Sequence, residues 1–244
     1  MTRALYGRIV FGASAVMFGV VGLMWRSSDM WQYLHPIPGP LGTIVAWCLT
    51  IAQIVGGIGI LFPRTARVGS IFLGFTFVLF GLAAVYGILR APTAYVQYGN
   101  FFEKFCIVCG ALAVYAATEP NAARAARIAR ASRLGLGLCA ISFAVAQLVY
   151  LQFTASLVPA WIPPNQTFWA IATTIAFVLA AIAILVERQA QLAIRLMTLM
   201  LALFGVLVWI PQIVARPHAL SNWSEFAETF LIAGAAWVVG EARR

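Results

Sequence analysis

Two sets of side chains in this sequence have the types and spacing to do chemistry. Residues 100–116, NFFEKFCIVCGALAVYA, place a Glu, a Lys and a Cys-x-x-Cys pair at the head of an apolar run. Cys106 and Cys109 at that spacing could cycle between dithiol and disulfide. Cys48, expected at a similar depth below the outer face, could join them, whereas Cys139 is expected at the cytoplasmic end of its helix and out of reach. The second set is Glu103 and Glu228, each just inside an apolar segment, where an ionisable group is costly and points to a functional site.

Each set also has a plainer explanation. Buried cysteines behave as small hydrophobic packing residues, and a dithiol enzyme needs a second, mobile pair of cysteines that no predicted outer loop contains. Asn100 followed by Glu103 reads as a capping box, which would make Glu103 a first-turn residue suited to the positive end of the helix dipole. Packing is the preferred reading for the cysteines, and Glu103 with Glu228 is the better functional candidate.

The elements that must position these groups follow from hydropathy. The chain is 63% hydrophobic and 9% charged, against about 25% charged residues in soluble domains. Apolar runs fill it from end to end, so no cleaved leader is expected. Runs of roughly 20 apolar residues mark membrane spans, and eight are predicted, at about 7–25, 41–62, 67–89, 101–117, 133–154, 168–186, 192–210 and 224–240. With eight spans, twelve arginines share one face and four basic residues the other, which places both termini in the cytoplasm. The net charge of +9 is read as topology determinants beside anionic lipid, with no nucleic-acid role.

The chain also repeats itself. ILFPRTAR at 60–67 matches ILVERQAQ at 184–191, and the register holds to LFG at 79–81 and 203–205, an offset of 124. After one inserted residue, FFEKFCIVCGA aligns with FAETFLIAGAA, so Glu103 matches Glu228 while Cys106 and Cys109 match Leu231 and Gly234. Two units of four spans enter the membrane the same way round, which predicts a parallel repeat about an axis along the membrane normal. The expected fold is therefore an all-α polytopic membrane protein of eight transmembrane helices in two four-helix bundles. Residues 1–117 and 134–244 form the units, and 118–133, with arginines at every third position among alanines, form a basic cytoplasmic surface helix between them.

Aromatic and polar residues near the outer face complete the candidate set: Trp31, Trp161, Trp169 and Trp223, with His35, Gln53 and Gln147. Most of the aromatics suit an interfacial belt, and the glutamines suit interhelical hydrogen bonds. Together with the two glutamates they could instead rim an apolar pocket for a flat lipophilic molecule such as a quinone. His35 and His218 lack partners at ligand spacing, so no metal site is expected. Phosphate-cradling loops, nucleophile elbows and zinc-protease motifs are absent.

A four-span unit whose last helix opens FFEKF or FAETF before a small-residue stripe, with a Pro/Trp-rich loop before its second helix, resembles the DoxX-like family. The resemblance implies two fused compact four-helix units in a bacterial inner membrane. Some family members are subunits or partners of quinone-linked sulfur oxidoreductases or of oxidative-stress complexes, so it also implies a membrane or peripheral redox partner. FCIVC separately resembles the Cys-x-x-Cys helix of the vitamin K epoxide reductase family, which would imply thiol–disulfide chemistry on a quinone. A non-catalytic carrier or anchor is the third reading.

Overall fold

In the bilayer core every backbone N–H and C=O must be satisfied by protein, and continuous apolar runs of roughly 20 residues do so as helices. A computed structural model describes residues 3–24 and 39–242, and it contains no strand among them. The helices are α1 (Arg3–Met24), α2 (Gly39–Leu61), α3 (Ala66–Arg90), α4 (Tyr95–Ala117), α5 (Ala122–Val149), the short α6 (Leu151–Leu157), α7 (Gln166–Leu185), α8 (Ala190–Phe204), a π-helical turn (Gly205–Trp209), α9 (Ile210–Ala215) and α10 (Leu220–Glu241). Among the described residues seven segments are long and apolar enough to cross a membrane: those of α1, α2, α3, α4, α5 and α7, and the continuous stretch Ala190–Ala215. This is a multi-pass membrane protein. α10, which carries Glu225, Glu228 and Glu241, is not among the seven.

Neighbouring helices form a closed ring, α1–α2–α3–α4–α5–α7–α8–α10 and back to α1, with α4 against α10 across its middle. The ring maps onto itself when α1, α2, α3 and α4 are exchanged for α5, α7, Ala190–Ala215 and α10. One consequence is that each half is closed by the other: α1 packs on α10, and α4 packs on α5.

Small residues make the central contact possible. A Cβ added at Gly110 of α4 would lie 2.6 Å from the Ala235 Cβ of α10, and these two positions match in the repeat. The flanking interfaces use a complementary exchange. Gly234 accommodates the backbone of Phe11 on α1, while at the matched place Gly135 on α5 faces the Cys109 sulfur on α4. Large and small residues have traded sides across the pseudo-axis.

Element boundaries correct several expectations. α4 begins at Tyr95 and α10 at Leu220, both earlier than predicted and at matched positions. Each start is held by the same device: Tyr98 donates its hydroxyl to the Pro92 carbonyl at 3.1 Å, and Trp223 donates its indole N–H to the Pro217 carbonyl at 2.9 Å. The basic segment 118–133 is not a separate surface helix. It is a turn followed by the first turns of the 28-residue α5, capped by Asn121, whose side chain accepts from the Arg124 N–H. Ala129 and Ser132 are buried on one side of these turns. On the other side Arg130 makes a two-pronged pair with Glu187 at 3.0 and 3.1 Å.

The axis contact generates a paired expectation within α4. Gly110→Ala should lower stability by about 1–3 kcal/mol through overpacking. Gly99→Ala, which meets nothing within 4 Å, should be neutral or raise it by about 0.5–1 kcal/mol. Unfolding midpoints of the detergent-purified variants check both, and equal midpoints would remove the close approach as a determinant.

Candidate functional site

Buried charge gathers where α4 and α10 face each other. Lys104 has 2% of its side chain exposed; its ammonium donates to Glu228 Oε1 and lies 3.5 Å from Glu103 Oε2. Glu225, one turn before Glu228 on α10, brings a third carboxylate into electrostatic range of both Glu228 and Lys104. Two carboxyl groups thus meet one ammonium, with a third in electrostatic range, in an apolar surrounding where a charge must be paired to be tolerated.

The depth of this cluster overturns the capping-box reading. Asn100 lies within α4, whose N-cap is Ala94, and Glu103 is the ninth residue of its helix, as Glu228 is of α10. At 1.5 Å per residue both sit about 12 Å beyond the helix start, too far to serve orphan N–H groups of the first turn. The sequence pairs the two glutamates but leaves Lys104 only as one of four basic residues on the outer face, and it does not single out Glu225. The available signal was a Lys beside a Glu within one apolar run.

The thiols are distributed differently from expectation. Cys106 and Cys109 are buried on α4, and Cys139 on α5 interacts with both. Cys48 is exposed on α2, outside this cluster. Cys139 and Cys48 have therefore exchanged the places predicted for them, because α4 and α5 run antiparallel and bring residues one turn past Gly135 against residues one turn before Cys109. All four are free thiols, and Cys109 fills the notch left by Gly135. Burial in an apolar setting makes structural thiols inert.

The remaining predicted residues divide into wall, lock and surface. Gln53 is buried and donates to the Ala15 carbonyl at 2.9 Å, joining α2 to α1. Trp161 is exposed, and Trp223 locks the turn before α10. Trp31 and His35 lie outside the described residues. Among the described candidates only Gln147 and Trp169 line a cavity of about 590 Å³ between α5, α6, α7 and the Ala190–Ala215 segment. Its wall is apolar, with Phe204 and Leu203 prominent, and its polar groups are uncharged: Gln147, Thr154, Thr173, Trp209 and Thr229. The hydroxyls of Thr173 and Thr174 donate to Gln147 Oε1 at 3.2 and 2.9 Å, and the Trp209 indole N–H donates to Thr229 Oγ1 at 3.0 Å. Thr229 follows Glu228 on α10, so the cavity and the ion cluster share one turn of helix.

A π-helical turn forms part of the cavity wall through Leu207, Val208 and Trp209. It also accounts for the one-residue insertion in the repeat. α3 has 25 residues and its counterpart Ala190–Ala215 has 26, and the offset changes from 124 to 125 between positions 205 and 220. A π-bulge is how a helix absorbs one extra residue. Pro211, which lacks the N–H to continue a regular ladder, follows directly.

The ion cluster predicts a coupled mutational response. Lys104→Met should destabilise by about 3–5 kcal/mol, the cost of leaving buried carboxylates without their cation. Lys104→Met with Glu228→Gln should recover part of that loss. Chemical unfolding in detergent reads both, and additive effects in the double variant would show that the pair is not coupled.

No family model, curated protein or solved structure matches this chain.

Proposed function

We propose that this chain consists of two fused DoxX-like units in a bacterial inner membrane, with α10 as the eighth crossing helix and both termini cytoplasmic. In this reading the protein is a membrane subunit or partner in a respiratory or redox process, and its second unit holds a quinone-like lipophilic molecule. The observation that carries the reading is the roughly 590 Å³ apolar cavity walled by Gln147, Trp169 and the π-helical turn. Cavities of about 300–1,000 Å³, mostly apolar with a few convergent polar groups, are the usual form of small-molecule sites. The polar groups here are neutral, which favours a neutral lipophile over a fatty-acid anion or a cation. The arginine asymmetry supports the orientation, and the central contact of α10 with α4 supports a crossing helix whose carboxylates are compensated by Lys104.

Two measurements separate this reading from a solvent-filled gap between helices. Organic extracts of gently solubilised wild-type protein should contain a stoichiometric lipophile detectable by mass spectrometry. Ala176→Trp, which places an indole in the cavity, should reduce its recovery at least about tenfold, as expected for loss of the fitted apolar contact surface. Extracts of wild-type protein containing no such molecule, or equal recovery from Ala176→Trp, would reject the proposal.

A further inference from the structure

The polar wall of the cavity beside Trp169 leaves one group uncommitted. The two indoles that line it have their N–H groups bonded to protein, Trp169 to the Pro163 carbonyl at 2.8 Å and Trp209 to Thr229 Oγ1 at 3.0 Å. Gln147 is different: its Oε1 lies 3.2 Å from the Thr173 hydroxyl and 2.9 Å from the Thr174 hydroxyl, while its Nε2 has no acceptor among the described residues. Gln147 is half-buried and lines the cavity, and Nε2 is not among the unmet atoms that protein seals from open space. Its amide is therefore the polar group that this cavity leaves for a ligand.

Each threonine hydroxyl also faces a carbonyl of its own helix: Thr173 Oγ1 is 2.9 Å from the Trp169 oxygen, and Thr174 Oγ1 is 2.8 Å from the Ala170 oxygen. A hydroxyl has one proton and two lone pairs, so the same heavy atoms hold two proton arrangements. In the first, both hydroxyls donate to Gln147 Oε1, and Nε2 offers its N–H to the cavity. In the second, both protons turn to the helix carbonyls, the amide turns over to donate to the two Oγ1 atoms, and its carbonyl faces the cavity. Neither arrangement leaves a threonine proton unmet. We infer that Gln147, held by Thr173 and Thr174, is a two-way polar anchor that bonds either redox form of a quinone-like ligand. It donates to the carbonyl of the quinone in the first arrangement and accepts from the hydroxyl of the hydroquinone in the second. Reduction by two electrons and two protons exchanges those two groups at the same oxygen. Thr154 and Thr229, the remaining polar side chains of the lining, are hydroxyls and have the same freedom to donate or accept. The anchor rests on the reading of this cavity as a quinone site, and it adds that the site does not select a redox state.

Binding of a decyl-substituted benzoquinone and of its hydroquinone to delipidated, detergent-purified protein, kept anaerobic for the reduced form, tests the anchor. The two wild-type dissociation constants should agree within about tenfold, whereas a group fixed as donor or as acceptor would mismatch one form and separate them by more, toward about a hundredfold. Gln147→Met keeps the length of the side chain and leaves both threonine protons on helix carbonyls, so the fold is retained. It should weaken both forms by about fivefold, the loss of one neutral hydrogen bond in each. Infrared difference spectra add a readout that packing alone does not move: the carbonyl band of the bound quinone should be lowered in the wild type and lowered less in Gln147→Met. Binding of neither form would overturn the anchor together with the quinone reading. Preference for one form by more than about tenfold, or unchanged affinity and carbonyl band in Gln147→Met, would overturn the anchor alone.

Discussion

The ammonium of Lys104 is enclosed by helices and has little access to water, so its charge must be met by protein. Two carboxylates that meet it come from distant places in the sequence, Glu103 beside it and Glu228 more than a hundred residues later. Satisfying that one cation obliges α4 and α10 to meet at the level of the ninth residue of each. Below this level the two helices can stay together only if their facing residues are small, and Gly110 against Ala235 meets that condition. The outer ring of helices is then arranged around this pair.

The closed ring explains why neither half is a self-contained bundle. α1 finds its neighbour on α10 and α4 finds its neighbour on α5, so the hydrophobic and small-residue surfaces of each unit are completed by the other. Without a hydrophobic driving force between helices in lipid, association rests on close packing and on scattered hydrogen bonds. The Phe11–Gly234 and Cys109–Gly135 contacts supply the first. The Ser132 hydroxyl donating to the Cys109 carbonyl at 2.7 Å and the Gln53 bond to Ala15 supply the second. The Cys-x-x-Cys pair thus belongs to the packing of the α4–α5 interface.

The two halves differ where one residue has been added. The π-helical turn shifts the register of Ala190–Ala215 relative to α3, points Trp209 at Thr229 and puts Leu207 and Val208 on the cavity wall. At the position matching Thr229, the first half has Lys104. A single repeat thus yields an ion cluster on one side of the central pair and a neutral, apolar cavity on the other, with α10 contributing to both.

Hydropathy, the arginine asymmetry and the repeat are all legible in the sequence, because each is written in composition and spacing. So are the matched glutamates, the inserted residue and the presence of Gln147 and Trp169 as polar and aromatic groups near one face. The helix boundaries are less legible: α4 and α10 extend outward beyond their apolar cores because Tyr98 and Trp223 close the preceding turns onto Pro92 and Pro217, a contact that hydropathy does not register. Which distant residues meet is settled by packing alone. Lys104 reads as one of four basic residues on the outer face until α10 places a carboxylate beside it, and Cys139 reads as remote from Cys106 and Cys109 until antiparallel packing brings α5 against α4. Local chemistry sets the period and polarity of each helix and so can be read along the chain; the partners of a buried charge or thiol depend on how helices far apart in the chain face one another.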